Sequence, residues 1–106
     1  RAQVDGKRRI TEDKIAAEVQ SAYAGLIAAY NRVSQAREAK RLAEFMAEVE
    51  NRRFELGQSD LLAVYLREQA AIEAADGEVD SLLEYYIAKA NYSAALAIDW
   101  PVLETQ

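Results

Sequence analysis

A chain of 106 residues supports one small domain at most; here 51% of it is apolar, 29% is charged, and the net charge is −5. With no cysteine and no histidine, disulfides and thiolate sites are excluded, and so are the commonest metal ligand and general base. The acidic balance argues against nucleic acid as a partner, while much alanine, four glycines and one proline are the composition of long helices.

The sequence opens at Arg1 without a methionine and is expected to be a piece of a longer protein, any export signal lying upstream. From Ile15 the apolar residues fall at Ile15, Val19, Ala22, Leu26, Ala29, Val33 and Ala36, alternating steps of four and three as in a coiled-coil seam. The longest nearly uncharged stretch, Ser21 to Asn31, falls short of the roughly 20 apolar residues that span a bilayer. Around Arg37 to Arg41 the phase slips, and the seam is expected to resume as Leu42, Phe45 or Met46, Val49, Arg53 and Leu56. The first helix is therefore expected over about 11–56, with a possible earlier start, and only Gly25 weakens it.

Residues 57–59 break the pattern. Gly57 can take the left-handed conformation that ends a helix, and Ser59 or Asp60 can cap the next one. A second seam runs Leu61, Tyr65, Ile72, Val79, Leu82 and Tyr86, giving a helix over about 60–98 and a tail over 99–106 that begins where Pro101 disfavours a helical Trp100. So short a connection makes the helices antiparallel. The fold class is all-α, a long antiparallel two-helix coiled-coil hairpin. Residues 1–56 carry eleven basic and nine acidic side chains, so +2, and residues 57–106 carry two and nine, so −7. The arms thus attract one another, although each exposed pair contributes only about 0–1 kcal/mol.

One seam does not absorb Tyr23, Tyr30, Tyr85, Tyr86 and Tyr92, and many alanines sit off it. A second face is therefore expected to meet neighbours outside the chain. Glu73, Asp76 and Asp80 form a carboxylate row that could bind a cation weakly. Without histidine, cysteine or a glycine loop it reads as a wet helix face, so no catalytic residue, metal or cofactor is expected.

The stretch Arg52-Arg53-Phe54-Glu55-Leu56-Gly57-Gln58-Ser59-Asp60-Leu61-Leu62-Ala63-Val64 resembles the hairpin tip of the outer-membrane efflux (TolC-like) protein family. Its pattern is an aromatic, two residues, glycine, then Ser, Thr or Asp, two apolar residues and Val or Leu. Glu18-Val19-Gln20-Ser21-Ala22-Tyr23 is similar to that family's acidic-Val-x-x-Ala-Tyr segment, and Tyr86 to Tyr92 followed by Ala95-Leu96-Ala97 to its Tyr-x-x-Ala-x-x-x-Leu ending.

The resemblance implies a hairpin from one internal repeat, part of a periplasmic α-barrel. The parent would be a homotrimeric outer-membrane channel of a Gram-negative bacterium, serving multidrug efflux or type I secretion. Its only membrane contact would be a β-barrel for which this chain has no alternating segment. The tip, Arg53, Leu56, Gly57, Gln58, Ser59 and Asp60, would contact a periplasmic adaptor (membrane fusion) protein. Where family tips often carry acids this chain has Ala63 and Leu66, which argues against an acidic constriction here and removes the partner of a capping box with Asp60. Two alternatives are a structural coiled-coil module and the adaptor's own hairpin. Adaptor tips show Arg, three residues, Leu, six residues, Ser. Arg52 and Leu56 fit this, but Ala63 holds the serine position.

Overall fold

The computed structural model describes the backbone of residues 2–104 and the side chains of residues 6–98. Two helices make up the fold, α1 (Ala2–Glu55) and α2 (Leu61–Glu104), with no strand among the described residues. It is an all-α helical hairpin. Neither helix is long and apolar enough to cross a membrane, among the described residues.

Both helices extend at their outer ends. α1 takes the earlier start that the sequence allowed and is helical back to Ala2. The expected end of the second helix at Ile98 is corrected, because α2 continues through Asp99, Trp100 and Pro101 to Glu104. A proline this near a C-terminus forgoes a single amide bond, the one to the carbonyl four residues back. The bias it places on the preceding residue is a preference that helix on both sides outweighs. Of the expected tail, residues 105 and 106 lie outside the described residues.

The chain divides into two compact units. In the first, the part of α1 up to Ala29 lies with α2 from Tyr85 onward. Ile15, Val19, Ala22, Leu26 and Ala29 form the covered stripe on α1, as their four-and-three spacing requires, and Ala29 is fully buried. Tyr85, Ala88, Tyr92 and Ala95 form the stripe on α2. Tyr23 and Tyr92 meet with ring centroids 5.7 Å apart at an interplanar angle of 54°, a tilted arrangement that the ring quadrupoles favour. Residues 6–14 are all exposed; besides its backbone bonds this stretch has the Thr11 hydroxyl donating to the Lys7 carbonyl at 3.0 Å and the Arg8–Glu12 pair at 3.7 Å.

The second unit, Tyr30–Glu84, carries the turn. Its covered residues on α1 include Val33, Ala36, Lys40, Ala43, Ala47 and Glu50, an unbroken alternation of three and four. The expected slip at Arg37 to Arg41 is therefore absent. Of the expected resumed seam, Leu42, Phe45 and Val49 are exposed, Phe45 to 60%, and of the alternatives Phe45 and Met46 it is Met46 that is half-buried. On α2 the covered set includes Val64, Ala71, Ala74, Glu78, Ser81 and Leu82. Tyr65, Ile72, Val79 and Tyr86 sit one residue later than the covered heptad positions Val64, Ala71, Glu78 and Tyr85, and each is exposed within its own unit. The small size of the covered residues explains the inversion. Alanines at the contact let the helices come together, and the large residues that would hold them apart point elsewhere.

Polar contacts across this unit fix the antiparallel register. Arg32 Nε lies 3.1 Å from Glu84 Oε2, Lys40 Nζ 3.7 Å from Glu78 Oε1, and Asn51 Nδ2 donates to Glu68 Oε1 at 3.4 Å. Lys40 and Glu78 occupy seam positions with side chains 34% and 20% exposed. Replacing both with leucine is expected to stabilise the hairpin by about 1–2 kcal/mol, because apolar packing generally equals or exceeds a partly desolvated ion pair. Glu78→Leu alone should gain less, since Lys40 then keeps only Glu44, 4.0 Å away. Urea denaturation of the two variants measures the difference.

Candidate docking tip

The connection runs from Leu56 to Asp60, so Leu56, expected as the last helical residue, lies in the turn. Gly57 has φ +73. Its amide donates to the Phe54 carbonyl at 3.0 Å, and the Gln58 amide donates to the Arg53 carbonyl at 2.7 Å. That pair of bonds around a left-handed glycine is a Schellman ending, which satisfies carbonyls the helix would otherwise leave open.

Arg53 reinforces the ending. Its Nη2 donates to the Gln58 carbonyl at 3.2 Å, while its Nη1 donates to Glu50 Oε2 at 3.1 Å. Glu50 is the buried charged residue of the seam, so one guanidinium both neutralises it and ties down the far side of the turn. Asp60 begins α2. Its Oδ1 accepts from the Ala63 amide at 2.7 Å and its carbonyl accepts from the Val64 amide at 3.2 Å. Of the two candidate caps, Asp60 takes the role and Ser59 stands half-buried beside it. Asp60→Ala is expected to cost about 1 kcal/mol, the usual loss at an N-cap, read as a lower urea midpoint with an unchanged slope.

Arg53, Leu56, Gly57, Gln58, Ser59 and Asp60 thus lie together at the turn, where Arg53, Gly57, Gln58 and Asp60 make the bonds that close it. Sequence reasoning omitted Glu50, which anchors Arg53, and the leucines that follow the cap. Leu56, Leu61 and Leu62 are exposed to 72%, 70% and 65%, and a Cβ built on Gly57 meets nothing within 4 Å. The result is a small apolar surface around a gap where a side chain is missing. The signal for it was the Leu61-Leu62 pair: first-turn positions ahead of the covered Val64 have no partner helix to lie against.

Glu73, Asp76 and Asp80 are exposed, and no group of acidic residues is placed to hold a metal ion, among the described residues. The Glu38 carboxyl is held below the usual glutamate range by its hydrogen bond from Arg41 and then by that cation's charge, but both side chains are exposed. Comparison with protein-family models, with curated proteins and with solved structures finds no match to this chain.

Proposed function

We propose that this chain is a periplasmic helical hairpin of a trimeric outer-membrane channel for efflux or type I secretion, and that its tip docks a periplasmic adaptor protein. The observation that carries this reading is the tip: a turn closed by backbone bonds and Arg53, open above Gly57, and ringed by exposed leucines. A rigid turn costs little ordering entropy on docking, and the open glycine admits a partner's backbone. In this reading the chain is a structural and docking element, not an enzyme, and uses no cofactor. The second reading, a coiled-coil interaction module without a transport role, draws on the exposed apolar residues along both helices.

Substitution at Gly57 in the full-length protein tests the proposal. Gly57→Trp is expected to strain the left-handed turn by roughly 1–2 kcal/mol and to abolish export and adaptor co-purification while the trimer still assembles. Gly57→Asn tolerates the left-handed backbone but adds a side chain, so it should impair docking with little strain. Export by Gly57→Asn at the parental rate would overturn the role of the open glycine.

A further inference from the structure

We propose that the groove around Arg67 binds an amphipathic monoanion, a medium-chain carboxylate, with its head on the Arg67 guanidinium and its tail along Phe45 and Leu42. The groove lies within the Tyr30–Glu84 unit. A depression of about 150 Å³ is lined by Phe45, Met46, Val49, Glu50, Arg53 and Arg67. A second, of about 260 Å³, is lined by Arg41, Leu42 and Phe45, so the two meet at the Phe45 ring. Arg67 also borders a third, with Glu50, Ala63, Leu66 and Ala70. The cation thus stands between two largely apolar walls.

Charge places the head. Arg41, Arg53 and Arg67 line these depressions, and two of them are already paired. Arg41 is paired with Glu38, and Arg53 Nη1 donates to Glu50 Oε2 at 3.1 Å. Among the described residues Arg67 has no carboxylate partner. Its Nη1 donates to Met46 Sδ at 4.0 Å, and a thioether is a weak acceptor. With Glu50 offset by Arg53, the groove keeps one uncompensated positive charge in a chain of net charge −5. It therefore takes a single anionic group. A planar carboxylate can accept two guanidinium N–H bonds, which the sulfur cannot.

Apolar surface places the tail. Leu42, Phe45 and Val49 are exposed, and from Leu42 to Val49 is about 10 Å along the helix at a rise of about 1.5 Å per residue. That is the span of a medium-chain acyl group. An apolar wall with one oriented charge discriminates on both counts. A bare anion leaves Phe45 and Leu42 wet, and a neutral hydrocarbon leaves Arg67 on the sulfur.

Arg67 and Phe45 lie outside the turn, so this site stands or falls separately from adaptor docking. Met46 is the chain's single methionine, and its methyl signal in NMR therefore reports the junction of head and tail without overlap. Sodium octanoate titrated into the dilute full chain is expected to shift that signal saturably. Octanamide, a tail without the charge, and acetate, a charge without the tail, should each bind about tenfold more weakly or worse. Arg67→Gln should weaken octanoate about fivefold, equivalent to about 1 kcal/mol, and Phe45→Ala should weaken it to a similar degree. Lys89→Gln, which removes an exposed cation of the other unit, should leave it unchanged. Equal affinity for octanoate and octanamide, or an equal loss in Lys89→Gln, would overturn the proposal. So would a Met46 signal that moves when the protein alone is concentrated but not when octanoate is added, which would assign the groove to a second copy. The substituted positions are all exposed, where changes seldom disturb folding, and circular dichroism checks each variant. Should Arg67→Gln lose its helicity, the comparison of octanoate with octanamide on the parent decides.

Discussion

Ala47→Phe is expected to destabilise the hairpin by about 1–3 kcal/mol, whereas Phe45→Ala, which removes a whole ring two residues away, should change stability by no more than about 0.5 kcal/mol. The inversion follows from burial. Ala47 is 8% exposed in the seam between Ala43 and Glu50, while Phe45 points outward. A ring at position 47 must push α2 away from the alanine-lined contact, loosening Val64 and exposing the Glu50 carboxylate to a changed set of partners. Few other contacts can absorb the loss: Ala29, Val33, Ala47 and Val64 are the buried apolar residues among those described, and no large side chain is fully buried. Urea denaturation followed by circular dichroism measures both variants. Equal losses, or a greater loss from Phe45→Ala, would mean that the slipped seam Leu42, Phe45, Val49 is the one α2 covers.

The second large effect is on thermal stability. A hairpin with one thin seam draws most of its helical stability from packing, and in the isolated chain a second copy can cover the exposed stripes. Its melting temperature is therefore expected to rise with protein concentration. An increase to about a hundred times the dissociation constant adds about 2.7 kcal/mol, or about 10–20 °C for a chain of this length. Phe45→Ser combined with Ile72→Ser should flatten that dependence and leave the dilute melting temperature nearly unchanged. Scanning calorimetry over a wide concentration range tests both statements. Concentration-independent melting above about 90 °C, the usual mark of hyperstability, would require a closed core that these residues do not provide.

The tip was the most legible part of the candidate site. Gly57 followed by Ser59 and Asp60 states an ending and a cap in local terms, because capping depends on side chains within a few residues of the backbone groups they satisfy. Sequence could not choose between Ser59 and Asp60, since both offer an oxygen at nearly the same place. Nor could it pair Arg53 with both Glu50 and the Gln58 carbonyl, since that depends on how the turn folds the chain back over the last turn of α1.

Helicity, two elements, the turn and the antiparallel pairing were determined by the sequence alone, because backbone propensity, breakers and a short connection act locally. The seam at Ile15, Val19, Ala22, Leu26 and Ala29 was determined as well, because there large and small apolar residues share one phase. The sequence seams also held at Val33, Ala36 and Leu82, and what only the tertiary structure decided is which of two phases faces inward over 40–79. Hydrophobic size selects Leu42, Phe45 and Val49 with Tyr65, Ile72 and Val79. Close helix contact selects Ala43 and Ala47 with Val64, Ala71 and Ala74, and admits Lys40 and Glu78 because each finds the other across the seam. A pattern read along one helix records how apolar each face is, but not how near the other backbone comes. In this unit nearness decides: the small residues allow the helices to touch and leave the large ones on the outside.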